Sequence, residues 1–258
     1  MSTHLTTEIA SAEIPSDNPV HQRLLYAYVA AKDFVKGDLL EIGCGDGRGV
    51  ELMFPLASTY TAIDKNELLI GKLSQDYPSI KFISQFIPPL TGIADNSFDT
   101  VVTFQVIEHI ENDDLFVKEI HRVLKPGGKA LISTVNKKFS LTRNPWHVRE
   151  YYADGLKKLL SKYFSKVEGK GVHGNEKVMA YYEENKKAVQ KITRFDVLRL
   201  QWWLPRQILQ IPYDIFNRMS RKNIMASNDS LVASIKVEDY YLTNQPSENL
   251  DLYFVVEK

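Results

Sequence analysis

Between residues 38 and 135, short apolar runs alternate with stretches of helical periodicity, and this alternation restricts the possible folds more than any other feature of the chain. Leu39-Leu40-Glu41-Ile42 ends in glycines, a helical stretch follows at 50–54, and strand-like residues 59–63 close on Asp64. A helix is expected at 67–77, strands at 80–84 and 100–105, and a helix at 112–124. Pro126-Gly127-Gly128 then breaks that helix and launches a strand at 129–135. Strands that alternate with helices pair in parallel, because parallel neighbours need a crossover that is usually helical. Ligands of such sheets sit outside the carboxyl ends of the strands. Chemistry is therefore expected after Ile42, Ile63, Ser84, Phe104 and Val135.

The turn after the first strand reads Glu41-x-Gly43-x-Gly45-x-Gly47. A dinucleotide fingerprint needs a further glycine three residues after its Gly-x-Gly pair, and here those places hold Arg48 and Val50. The nicotinamide reading fails on spacing. Alternate glycines directly after a strand still bring bare backbone close to a ligand. Asp64, about twenty residues on and at a strand end, is placed as a ribose-binding acid must be, since two hydroxyl donors suit one two-oxygen acceptor.

Leu40-Glu41-Ile42-Gly43-Cys44-Gly45-Asp46-Gly47 resembles the first motif of the class I methyltransferases, in particular the group called type 11. Three further segments match in order: Ala62-Ile63-Asp64-Lys65-Asn66, then 95–110 from Asp95-Asn96-Ser97-Phe98-Asp99 to Glu108-His109-Ile110, then 119–128 ending in Lys125-Pro126-Gly127-Gly128. A weaker match covers 146–151. The resemblance implies S-adenosyl-L-methionine as cofactor and a seven-stranded, mainly parallel, doubly wound Rossmann-like sheet, with strands near 165–171 and 250–256 as its last pair. It implies that Gly43, Cys44, Gly45 and Gly47 underlie the methionine part, that Glu41 orients the turn or the cofactor's amino group, and that Asp64 holds the ribose. Lys65 and Gln105 complete the expected cofactor set. The family often carries an Asp near residues 86–87 to receive the adenine amino group, and this chain has none. Gln85 or a backbone carbonyl is expected there instead, with Phe86 or Ile87 on the ring. Cys44 is expected to fill a small gap.

For domains, the expectation is a mobile segment at 1–16 and a single domain at 17–258. Its cofactor core is 38–135, and a mostly helical insertion or lid lies at 175–249. Asp17, Asn18 and Pro19 supply a cap and a first-turn proline for a helix reaching Phe34. Helices are expected at 154–163, 176–191 and 196–221, the last interrupted at Pro205 and Pro212. Tyr181, Tyr182, Trp202, Trp203 and Tyr213 suit either packing of the inserted helices or an aromatic lid. Residues 202–216 are aromatic and aliphatic with few charges, as at a membrane surface, but the two prolines spoil a long amphipathic helix.

Lys and Arg (32) balance Asp and Glu (32), which removes the broad positive field of nucleic-acid binders and favours a small-molecule acceptor. A local patch at Arg218, Arg221 and Lys222 keeps a protein or RNA acceptor open as the alternative, beside a binding module without catalysis. The single cysteine, the absence of a secretory pattern and the lack of a membrane-spanning run point to a cytoplasmic protein, and no metal site is expected. His147, in the loop after the fifth strand, is the first candidate for general base and His109 the second, because imidazole titrates near working pH. Arg149 and Glu150 are expected to pair with each other and fix that loop.

Overall fold

The computed structural model describes residues 10, 13–194, 196 and 200–258. Most of the segment expected to be mobile, 1–9 with 11 and 12, lies outside the described residues. Five parallel strands form first: β1 (Asp38–Ile42), β2 (Thr59–Asp64), β3 (Lys81–Ser84), β4 (Phe98–Phe104) and β5 (Leu124–Val135). Three antiparallel strands follow: β6 (Lys166–Gly174), β7 (Tyr240–Thr243) and β8 (Asp251–Glu257). The sheet order is β3-β2-β1-β4-β5-β8-β6-β7. Strand order reverses between β1 and β4, which opens a crevice at their carboxyl ends.

The sheet is mainly parallel and covered on both faces, as expected, with eight strands in place of seven. The eighth, β7, is a short edge strand of Tyr240-Tyr241-Leu242-Thr243, a β-prone run inside the mostly helical insertion. Leu39, Leu40 and Ile42 of β1 have no exposed surface, as in a strand buried from both sides. One face packs α1 (Asn18–Ala31), α2 (Val50–Met53) and α3 (Glu67–Asp76) through Tyr28, Met53 and Leu73. The other packs α4 (Asp113–Val123) and α5 (Ala153–Leu160). In α4 the buried Phe116, Val117, Ile120 and Val123 recur along one side, each such side chain contributing about 1.5–3 kcal/mol on full burial. Asn112 caps the helix by accepting from the Leu115 amide at 3.0 Å.

Several boundaries differ for local reasons. Pro126-Gly127-Gly128 lies within β5 as an irregularity: Leu124 pairs with Phe98, Lys129 with Thr100, and Gly127 takes a φ of +76°. The insertion holds α6 (Glu176–Thr193), α7 (Leu200–Trp203), α8 (Arg206–Ser227) and α9 (Asp229–Ser234). Pro205 stands at the N-cap of α8, whereas Pro212 lies inside it without ending it. Asp17 makes no side-chain cap. It is buried and pairs with Arg221 at 2.8 Å and Arg218 at 3.8 Å, clamping the start of α1 to α8.

Candidate active site

The glycine turn is held in shape from below. Gly43 and Cys44 donate their amides to Ile63 at 2.7 and 3.2 Å, tying the turn to β2. Gly43 has a φ of +81°, and a Cβ there would lie 2.3 Å from Val106 Cγ2. A side chain at Gly47, φ +83°, would meet Leu73 at 2.5 Å. Gly45 differs: its φ is +54°, and nothing lies within 4 Å of where its Cβ would stand. The turn's open face is therefore at Gly45, the one of the three glycines whose backbone is left uncovered.

Glu41 lies beneath the turn, 1% exposed, and accepts from Tyr28 Oη at 2.6 Å and from Tyr60 Oη. Burial pushes its carboxyl up while the two phenols oppose that shift. Burial and the neighbouring Glu41 together hold both tyrosines well above their usual range. Of the two expected roles, this geometry supports bracing the turn over touching the cofactor's amino group. Cys44 is buried, its thiol pushed well up by burial and Glu41, and its side chain fills core space as expected. Asp64, half-buried at the end of β2, accepts from Gly45 N and Asn66 N, both at 2.9 Å. A carboxylate has about four acceptor sites, so both oxygens retain capacity for ribose hydroxyls. The cap of α3 is Asn66, whose side chain accepts from Leu69 N, so Asp64 is not needed as its cap. Lys65 is exposed beside it.

Beyond β3, Gln85 Nε2 is buried without a hydrogen-bond partner, and Phe86 is 81% exposed. An orphaned amide beside an uncovered ring is what an adenine-reading position requires before the base is seated. Arg122 holds the loop that follows, donating to Leu90 O and Ile93 O at 3.1 and 2.7 Å while Glu119 pairs with it. Gln105, at the end of β4, takes a φ of +57° and faces the neighbouring cavity. Glycine turn, Asp64, Gln85 and Phe86 thus fit a nucleoside carrying a methionine moiety.

That cavity has a volume of about 680 Å³, within the range of small-molecule sites. Gln105, Glu108, His109, Asn136 and His147 line it on the sheet side, and α6 and α8 roof it. His109 ends a short 3-10 turn (Ile107–His109), and the 144–150 loop folds over it. Val148 N donates to Glu108 O at 2.7 Å, Trp146 Nε1 to Asp214 at 3.1 Å, and Thr134 Oγ1 to the buried Glu108 carboxylate at 2.8 Å. The two candidate histidines meet edge to face, ring centres 5.1 Å apart.

Their hydrogen bonds separate their roles. His147 Nδ1 faces Glu150 Oε1 at 2.7 Å and must donate, since a carboxylate only accepts; its Nε2 then accepts from Asn144 Nδ2 at 2.8 Å. Both nitrogens are used. His109 Nδ1 donates to Trp146 O at 3.0 Å, and Nε2 has no hydrogen bond among the described residues. The open imidazole nitrogen of the cavity belongs to His109.

Other expectations need correction. Arg149 pairs with Asp113 at 2.5 Å, while Glu150 serves His147 and Ser140, because the loop turns the neighbouring side chains to opposite sides. Arg218 and Arg221 are held by Asp17 and form no open basic patch. Tyr181, Tyr182 and Tyr213 line the cavity, whereas Trp202 and Trp203 are exposed. Tyr28 and Tyr60 went unread as partners of Glu41, and Arg23 with Asp251 as a buried pair at 3.2 Å, because no local pattern joins residues so far apart in sequence.

A family model described as "Methyltransferase domain" matches residues 40–132, the segment that carries the glycine turn, Asp64, Gln85 and His109. Residues 40–132 belong to that methyltransferase-domain family. A "Probable S-adenosylmethionine-dependent methyltransferase" of Mycobacterium tuberculosis is 39% identical over 128 residues, covering 48% of this chain and 46% of that protein. A "Ubiquinone biosynthesis O-methyltransferase" of Xanthomonas oryzae is 31% identical over 115 residues, covering 43% of this chain and 48% of that protein. The chain spans about half the length of the curated relatives it matches.

Among solved structures, a Thermotoga maritima protein described as a SAM-dependent methyltransferase and possible histamine N-methyltransferase aligns with a TM-score of 0.57 at 13% identity. It covers 93% of this chain and 91% of that one. The [4+2]-cyclase SpnF aligns with a TM-score of 0.54 at 17% identity, over 92% of this chain and 81% of that one. The shared fold therefore carries more than one chemistry, and the reaction must be argued from the site.

Proposed function

We propose that the protein transfers a methyl group from S-adenosylmethionine to a hydroxyl of a small-molecule acceptor held in the 680 Å³ cavity, with His109 receiving the hydroxyl proton. The observation that carries this reading is the unpartnered Nε2 of His109, which lines that cavity together with Gln105, the neighbour of the Val106 that stands against Gly43. When bound, the cofactor supplies a sulfonium that already activates its methyl group. The chain has three remaining tasks. Asp64 and the open backbone at Gly45 fix the donor, and Gln85 with Phe86 meets the adenine. The cavity walls hold the acceptor oxygen in line and keep water away. His109, whose Nδ1 donates to Trp146 O and leaves Nε2 as the nitrogen open to accept, takes the proton as the oxygen becomes nucleophilic.

His147 acts through His109: anchored by Glu150 and Asn144, it packs its ring against the base and fixes the loop whose Trp146 carbonyl orients it. The O-methyltransferase of Xanthomonas oryzae among the relatives supports a hydroxyl acceptor. A macromolecular acceptor is disfavoured by the pairing of Arg218 and Arg221 with Asp17. The test is transfer of radiolabelled methyl groups from S-adenosylmethionine to fractionated cell extract. Label in a small-molecule fraction that falls sharply with His109→Ala supports the reading; label only in protein or RNA, or none, overturns it.

A further inference from the structure

The outer face of α8 is unlike the remaining surface. Ile208, Ile211, Ile215 and Met219 recur at helical spacing and all face solvent, Ile211 by 71%. Trp203, 82% exposed, and Trp202 stand just before the helix. Large apolar side chains gathered on one face of a water-soluble surface mark a contact, not a fold requirement. Because α8 runs unbroken through Pro212, the stripe is one continuous amphipathic face and not the interrupted one its prolines suggest.

Two observations say what covers it. The stripe is continuous with the mouth of the cavity: Pro212 and Phe216 both line the cavity and belong to the exposed face, and Leu204 and Leu209 extend its apolar rim. Its charge is one-sided as well. The only acid of α8, Asp214, is buried against Trp146, whereas Lys222 stands exposed at the end of the stripe. Arg206 faces Glu111 at 3.4 Å, Arg218 and Arg221 face Asp17, and Lys222 is exposed beyond Met219. An apolar stripe with tryptophans at one end and an exposed lysine at the other is the chemistry of an anionic bilayer interface.

We propose that the outer face of α8, with Trp202 and Trp203, rests on an anionic lipid bilayer, and that the acceptor is an amphiphile entering the cavity from that surface. Its hydroxyl-bearing end reaches His109 while its apolar part stays against Leu204, Leu209 and Phe216. The acceptor clause rests on the methyl-transfer reading; the bilayer clause does not.

Co-sedimentation of the full chain with vesicles of equal parts phosphatidylcholine and phosphatidylglycerol tests it, with pure phosphatidylcholine vesicles as reference and sedimentation velocity reporting the mass without vesicles. The wild type is expected to bind the anionic vesicles, with the tryptophan emission shifting to the blue. Ile211→Asp with Ile215→Asp should lower the partition by at least about tenfold, and Lys222→Ala by about fivefold. S-adenosylmethionine calorimetry and thermal melting, unchanged in these variants, show that they fold. Trp203→Ala alone should also weaken binding.

Failure of the wild type to bind, or unaltered binding by the double variant, overturns the proposal. So does self-association of the wild type that the double variant removes while vesicles are ignored, since a second copy would then cover the face. Vesicle binding without methyl transfer to any amphiphilic alcohol retires the methyl-transfer reading and leaves the surface standing.

Discussion

The cofactor end and the acceptor end of the candidate site are built from different material. At the cofactor end, backbone does the shaping: Gly43, Gly45 and Gly47 take positive φ within five residues, and Asp64 braces the turn through an amide. At the acceptor end, side chains gathered from α1, the 107–109 turn, the 136–150 loop, α6 and α8 enclose a cavity. A backbone-shaped site demands particular residues at fixed spacing, since only glycine tolerates those angles and approaches. A side-chain-shaped site demands only that its pieces arrive together, which many sequences achieve. The first end is therefore specified locally and the second by tertiary packing.

The largest expected effect separates the two ends by catalysis. His109→Ala should lower kcat by about 10²–10⁴-fold while leaving the cofactor affinity within about twofold, measured by methyl transfer and calorimetry. His147→Ala should lower kcat less and retain the pH dependence that His109→Ala loses. If His147→Ala abolishes that dependence and His109→Ala does not, the roles are exchanged. At the cofactor end, Gly43→Ala combines a positive φ with a clash on Val106 and should cost about 3 kcal/mol of stability as well as cofactor binding. Gly45→Ala, which meets no atom of the protein, should cost only about 1 kcal/mol yet weaken the cofactor by about tenfold or more. Unaltered cofactor affinity in Gly45→Ala would show that the open face at Gly45 is not where the ligand lies.

Glu41→Gln tests the brace beneath the turn. The variant keeps one acceptor oxygen for two phenol donors, so one donor loses its charged partner and stability should fall by about 1–3 kcal/mol, read from denaturant melts. The smallest effect concerns Asp251 beneath the cavity. Burial pushes its carboxyl up to about 6, with Arg23 opposing and Glu108 adding to the shift. A carboxyl whose folded value is raised binds its proton more tightly when folded, so its contribution to stability declines as pH rises from the usual carboxylate range to about 6 and is flat above. Asp251→Asn should flatten that decline in melts across the window; an unchanged slope assigns the pH dependence elsewhere.

The contrast also explains what could be read from the residues alone. The five parallel strands, Asp64 at the end of β2 and the turn at 41–49 were legible because period, strand end and glycine spacing are local signals. Pro212 misled because its cost is local while α8 is retained by tertiary contacts, among them Asp17 with Arg221 and Trp146 with Asp214. His147 outranked His109 by loop position, and only the hydrogen bonds to Glu150, Asn144 and Trp146 O reverse the order. Tyr28 and Tyr60 were invisible as partners of Glu41 because each phenol reaches it from a separate element.

The account stands on the two ends meeting at one point, and the structure of the complex with the demethylated cofactor, S-adenosylhomocysteine, tests that most directly. The account predicts adenine beside Gln85 and Phe86, ribose on Asp64, and the sulfur opening past Gln105 toward His109. A sulfur walled off from the cavity, or nearer to His147 Nε2 than to His109 Nε2, would contradict it.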